Sequence, residues 1–182
     1  MSLPVEPEYV ESGALARFDT WVAALVLRVP ASLRPAMWFA TAFGYPVVEA
    51  VPLLVVALLW DGPLRAAALV LAASLFLPRV IKHTVRRKRP ASEYVAAMRM
   101  AGPSFPSGHA YSAVAATSLY GYLAVTRLEP VAAVAVVLLC VVWVLWVSLS
   151  RLFFRAHYAS DIVGGWVIGA AVAALVLVVT TP

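Results

Sequence analysis

Apolar residues run along this chain in long blocks, and each break between blocks is polar, basic or turn-forming. In the first block Leu15, Phe18, Val22, Leu25 and Val29 recur at spacings of three and four, which marks one face of a helix over 14–29. Arg17, Asp19 and Arg28 interrupt that block, so it reads as a helix lying in the membrane interface, with a short, tilted span as the alternative. Pro30 and Pro35 then break the chain. Residues 36–60 read as a span ending at Trp60 in an aromatic-belt position, kinked at Gly44-Tyr45-Pro46. Asp61-Gly62-Pro63 is a tight turn, 64–84 the next span, and 85–105 a basic segment too charged to sit in lipid. Spans follow over 107–126, 131–149 and 159–180, separated by the turn Arg127–Pro130 and by a polar break after 149.

Each block approaches the roughly 20 residues that cross a bilayer. Backbone polar groups in hydrocarbon must bond within their own segment, so the spans are helices. The pattern therefore predicts an all-α integral membrane bundle with five transmembrane helices and an N-terminal interfacial helix, or six transmembrane helices. Composition agrees: 63% of the 182 residues are hydrophobic and the mean hydropathy is +0.90. One domain is expected over 1–182, with a polar tail at 1–13 and the core bundle at 36–180. The start of the chain is acidic and lacks the basic, apolar pattern of a cleaved signal, so insertion is expected to rely on the internal segments.

Charge sharpens the picture. The net charge of +5 is concentrated in the breaks between apolar blocks. That suits anionic headgroups or a phosphate site, and the aromatic-interleaved basic patches of RNA-binding modules are absent, so no nucleic-acid partner is expected. Cys140, the single cysteine, lies in an apolar run and reads as a small buried hydrophobe. Arg79, Arg86, Arg87 and Lys88 read as interfacial anchors. Glu49 falls mid-span, where a carboxylate is a functional candidate or a protonated acid bonded across helices.

Three polar blocks carry candidate chemistry. The first, Lys82 to Pro90, places Lys82 and Arg89 seven apart. The second is Pro106-Ser107-Gly108-His109, and the third, Ser150 to Asp161, holds Arg151, His157 and Asp161. The span count places all three at one membrane face. Arginine offers a planar fork to phosphate oxygens and lysine a point charge. Pro-Ser-Gly reads as a helix start with Ser107 near the N-cap, where unpaired N–H groups favour an anion, and Gly108 permits close backbone approach. His109, on the first turn, is a candidate general acid. His157 and Asp161 are four apart, so on a helix they share a face; a carboxylate on one imidazole nitrogen frees the other for attack. The competing reading is a helix-start carboxylate beside a surface histidine.

The order Lys-x6-Arg-Pro, Pro-Ser-Gly-His, Ser-Arg-x5-His-x3-Asp resembles the three-part signature of the type 2 phosphatidic acid phosphatase superfamily, which includes the vanadium haloperoxidases. Every signature position is filled, from Lys82, Arg89 and Pro90 through Pro106, Ser107, Gly108 and His109 to Ser150, Arg151, His157 and Asp161. The resemblance covers about 36–180. It implies that His157 attacks phosphorus to form a phosphohistidine, that Asp161 orients it, and that His109 protonates the leaving oxygen. Lys82, Arg89, Ser107, Gly108 and Arg151 would hold the phosphate. The implied reaction needs no metal or cofactor. The expected partners are the bilayer and a membrane lipid phosphate or diphosphate, with a polyprenyl substrate preferred from small size and phosphatidylglycerol phosphate or phosphatidic acid as alternatives. A haloperoxidase is disfavoured because those relatives are generally soluble and larger; a non-catalytic lipid binder would show a damaged signature. The expected location is a bacterial plasma membrane, crossed several times. Cation counts favour a cytoplasmic site, whereas many bacterial relatives work on the outer face, so the side stays open.

Overall fold

The computed structural model describes residues 13–181, so of the polar tail at 1–13 only Gly13 lies within the described residues. The described residues form an all-α bundle. The helices are α1 (Ala14–Val26), α2 (Arg34–Phe43), α3 (Pro46–Leu59), α4 (Gly62–Ser74), α5 (Leu77–Val85), α6 (Glu93–Ala97), α7 (Gly108–Arg127), α8 (Pro130–Phe153) and α9 (Ala159–Thr180). A 3-10 turn, Ala31–Leu33, leads into α2.

By length and composition Gly62–Val85, Pro130–Phe153 and Ala159–Thr180 can each cross a membrane. The first of these is interrupted at Leu75-Phe76 between α4 and α5. α7, with 20 residues, is less apolar for a simple reason: it is the central helix, packed along α8 and α9, and much of its surface is covered by protein instead of lipid. α3 is apolar but has only 14 residues.

The single kinked span expected over 36–60 is two helices. α2 closes with Gly44 N–H donating to the Ala40 carbonyl, and Pro46, which has no N–H to give, opens α3. Gly44 lies flat against α8: a Cβ there would sit 2.6 Å from a methyl of Val147. The N-terminal block likewise ends early. Ala14–Val26 and Ala31–Phe43 meet at 91°, and α1, with 13 residues, is too short to cross alone. Its central Asp19 touches Ser160 in the first turn of α9, which fixes α1 at that end of the bundle.

The core is built from α3, α4, α7 and α9, with Leu53, Leu71, Ala115, Leu119 and Ala173 buried together. α9 crosses α7 closely because it presents glycines there. A Cβ on Gly165 would lie 2.8 Å from the Ser107 carbonyl oxygen, and one on Gly169 2.9 Å from that of Tyr111. This close packing ties the start of α7 to the start of α9, and Ser107 N–H donates to the Asp161 carbonyl at 3.0 Å.

Candidate active site

The three polar blocks converge at one end of the bundle. α5 carries Lys82 on its last turn, and the chain then loops back through Arg87 and Arg89. α7 starts at the Ser-Gly-His block, α8 ends just beyond Arg151, and the short loop into α9 holds His157. A cavity of about 600 Å³ opens here, lined at its polar end by Lys82, Arg89, Gly108, His109 and His157. Its other wall is apolar, formed by Val47 and Ala50 of α3 and Ala72, Leu75 and Phe76 at the break between α4 and α5.

His157 is 4% exposed. Its Nδ1 lies 3.3 Å from Asp161 Oδ2, an oxygen that also accepts the Tyr158 N–H at 3.0 Å. The carboxylate can only accept, so the proton sits on Nδ1. Nε2 then keeps its lone pair, and it lies 3.2 Å from Arg89 Nη1, a donor. Burial, followed by the charges of Lys82, Arg151 and Arg89, holds this imidazole well below the ordinary histidine range. The ring is therefore neutral and oriented, with its free nitrogen toward the cations.

Among the described residues those cations have no acidic partners. Lys82 Nζ is held by the carbonyls of Pro103 and Ser104 at 3.0 and 3.1 Å. Arg89 donates to the carbonyls of Gly102 and Ala156. Arg151 is 1% exposed; its Nη1 donates to Thr41 Oγ1 and the Tyr94 hydroxyl, and its buried Nε has no hydrogen-bond partner among the described residues. Among the described residues no carboxylate comes within ion-pair distance of Lys82, Arg89 or Arg151. Three clustered cations without a counter-charge are costly unless an anion shares the site.

Two predicted phosphate ligands sit differently from the others. The Ser107 hydroxyl is fully buried and caps α7, accepting the Ala110 N–H, so it shapes the helix start and does not line the cavity. Arg151 also lies behind the cavity wall. Gly108 does line it. A Cβ there would meet Pro46 and Pro78 only at 3.9 and 4.0 Å, so packing does not demand the glycine. His109 Nε2 lies 3.2 Å from the Thr41 carbonyl oxygen, which accepts a hydrogen bond from its N–H and leaves Nδ1 on the other side of the ring.

Four residues that sequence reasoning set aside or missed help to build the site. Arg87, read as an anchor, is instead largely buried and paired, with Nη1 2.7 Å from Asp161 Oδ1 and Nη2 2.8 Å from Asp19 Oδ2. A basic run at the end of a span gives no sign of which cation turns inward. Asp19 is 7% exposed and accepts both the backbone and hydroxyl protons of Ser160. Thr41 joins Arg151, Ser150 and His109. Tyr94 covers Arg151, with the guanidinium 5.3 Å from its ring centre. Tyr94 stands on α6, a helix inside the basic segment 85–105, where Ser92 caps the start by accepting from Val95 N–H. Glu49, the mid-span puzzle, accepts from Trp143 Nε1 at 2.7 Å and lies away from this cavity, a carboxyl bonded across helices.

A membrane helical bundle with clustered cations around a buried histidine at one end is the class that fold and geometry define. Residues 63–181 match the PAP2 superfamily, and the chain belongs to it. It is 29% identical over 112 residues to phosphatidylglycerophosphatase B of Bacillus subtilis (strain 168), a match covering 60% of this chain and 53% of the relative. The chain thus spans about half the length of that curated relative. Its fold is similar to the crystal structure of a transmembrane PAP2-type phosphatidylglycerolphosphate phosphatase from Bacillus subtilis, with a TM-score of 0.69 and 24% identity, covering 91% of this chain and 86% of that one. The protein is a multi-pass membrane protein.

Proposed function

We propose that this protein is a membrane phosphatase that hydrolyses the phosphomonoester or diphosphate headgroup of a lipid in the plasma membrane. One observation carries the reading: a neutral imidazole, held through Nδ1 by Asp161, turns its free nitrogen toward cations that have no acidic partner among the described residues. Phosphate supplies the missing charge, and the apolar wall beside it receives the lipid tail while the headgroup reaches the polar end.

The reaction follows from the side chains. His157 Nε2 attacks phosphorus and forms a P–N bond as the P–O bond to the lipid breaks. The leaving oxygen takes a proton from His109, giving the lipid alcohol, or the monophosphate from a diphosphate. Water then attacks the phosphohistidine, losing a proton to His109 as the P–N bond breaks and phosphate is released. Lys82 and Arg89 stabilise the charge that gathers on the equatorial oxygens, Arg151 adds its charge from behind the cavity wall, the Gly108 N–H stands at the start of α7, and Asp161 stabilises the imidazolium. The steps call on no metal, and among the described residues no three His, Cys, Asp or Glu side chains gather as a ligand set.

The cavity mouth bears on substrate class. Arg79, His83 and Arg99 line it beside Lys82 and Arg89, and among the described residues no Asp or Glu does. That excess of cations supports a headgroup with a second phosphate, such as phosphatidylglycerol phosphate or a polyprenyl diphosphate, over phosphatidic acid. Small size no longer favours the polyprenyl lipid, because this chain covers 86% of a structural relative named for phosphatidylglycerol phosphate.

The test is phosphate release by purified protein in detergent from phosphatidylglycerol phosphate, a polyprenyl diphosphate and phosphatidic acid, with vanadate or a chelator added. Release that vanadate inhibits and the chelator spares is expected, fastest with the doubly phosphorylated lipids. No release from any lipid would remove the phosphatase reading, and vanadate-dependent halide oxidation would move the protein to the haloperoxidases.

A further inference from the structure

We propose that Asp19 and Arg87 are positioning residues for the histidine nucleophile, so that the N-terminal helix is a working part of the active site; this rests on the phosphatase reading above. The connection is continuous. His157 Nδ1 meets Asp161 Oδ2, Asp161 Oδ1 accepts Arg87 Nη1 at 2.7 Å, and Arg87 Nη2 reaches Asp19 Oδ2 at 2.8 Å. Arg87 Nη1 also donates to Ser160 Oγ at 2.6 Å, and its guanidinium lies 4.4 Å from the Tyr158 ring centre. Asp19 closes the circuit by accepting Ser160 N–H and Ser160 Oγ–H, both at 2.7 Å. These bonds fix the turn on which Asp161 stands, from a helix outside the residues that match the family.

Charge gives the arrangement its purpose. Among the described residues the charged and titratable groups around the His157–Asp161 pair are Lys82, Arg89, Arg151 and His109 on the phosphate side and Arg87 behind, with Asp19 on the far side of Arg87. An arginine bonded to Asp161 alone would draw the carboxylate off the imidazole and neutralise the charge that favours the imidazolium. Sharing Arg87 with Asp19, its other carboxylate among the described residues, leaves Asp161 a larger net negative charge toward His157 while still holding its second oxygen. A plain anchor for α9 would need only the Asp19–Ser160 bonds. The Arg87 bridge is the additional feature, and it is what the test addresses.

The test compares kcat and KM of the full chain and of Asp19→Asn, Asp19→Glu, Arg87→Gln and the double variant Asp19→Asn with Arg87→Gln, on a lipid the wild type hydrolyses. Asp19→Asn keeps the shape and removes the charge, and it should lower kcat about tenfold or more while KM stays within about twofold, the pattern of a group acting on the transition state through another. Asp19→Glu should recover part of the loss. The double variant should lose less than the product of the two single losses, because the charges act as a unit. Unchanged kcat in Asp19→Asn, a change in KM alone, or independent losses would overturn the proposal. If Asp19→Asn does not fold, Arg87→Lys decides on the same readouts, since it keeps the charge but cannot span both carboxylates. A wild type inactive on every lipid defeats the phosphatase reading itself; an active wild type with unaffected variants defeats only the positioning role.

Discussion

In the proposed mechanism His157 attacks phosphorus only while its imidazole is uncharged and held, and its neighbours supply both conditions. Replacing His157 by alanine should abolish turnover in folded protein, measured as phosphate release; retained activity would remove the nucleophile. Asp161→Asn should lower kcat by about three to four orders of magnitude with substrate binding largely intact, because the imidazole loses its tautomer and its counter-charge. A fall in binding instead would make Asp161 a structural residue. Burial also ties His157 to pH. The unfolded chain takes up a proton at this residue near pH 6.5 and the folded chain only well below that. Below about pH 6.5 the unfolded state therefore binds more protons, so stability is full above that pH and is lost as pH falls toward the folded-state value. Thermal unfolding in detergent, followed from about pH 8 to about pH 5, should show a falling midpoint, with a shallower fall in His157→Gln. An equal slope in the variant would place the effect elsewhere.

At the scale of elements, the site is a meeting of helix ends. α7 and α9 come close enough for this only because Gly165 and Gly169 face the α7 backbone. Gly165→Leu should force the helices apart, costing about 1–3 kcal/mol and lowering activity together with the unfolding midpoint, read by thermal unfolding and phosphate release. A stable, active variant would show that the helix start tolerates displacement. The break at Gly44-Tyr45-Pro46 has a use as well. It lets α2 carry Thr41 to Arg151 and His109, while α3 turns its apolar side chains to the cavity. The proline and glycine made a bend legible, but the packing of Gly44 on Val147, 103 positions away in sequence, turned that bend into two helices. α6 escaped the sequence reading because five residues give too little periodicity to detect.

For the molecule as a whole, the site and the Asp61-Gly62-Pro63 turn occupy opposite ends. Trp60, Asp61, Tyr122, Arg127 and Thr181 cluster at the far end, while Lys82, Arg99, His109 and His157 gather at the other. In oriented vesicles, after Cys140→Ser, single cysteines placed at Asp61 and at Arg99 should react with a membrane-impermeant thiol reagent from opposite sides. Labelling of both from one side would break the bundle topology, and the side that labels Arg99→Cys gives the membrane face of the active site.

The pattern of apolar blocks by itself determined that this protein is helical and membrane-embedded, because hydrocarbon leaves the backbone few other solutions. The residue types and spacings of its polar breaks likewise marked the side chains proposed to handle phosphate, since imidazoles can carry nucleophile and acid roles and forked cations suit phosphate oxygens. Only the tertiary structure decided which charges face which. Arg87 and Arg86 are adjacent in one basic run, yet Arg87 binds the carboxylates of Asp19 and Asp161 and Arg86 stays exposed. Asp19 became part of the site through contacts across 141 positions of sequence. Local sequence carries periodicity and intrinsic chemistry; ion pairing and burial depend on which distant segment packs alongside, and that is settled only when the whole bundle assembles.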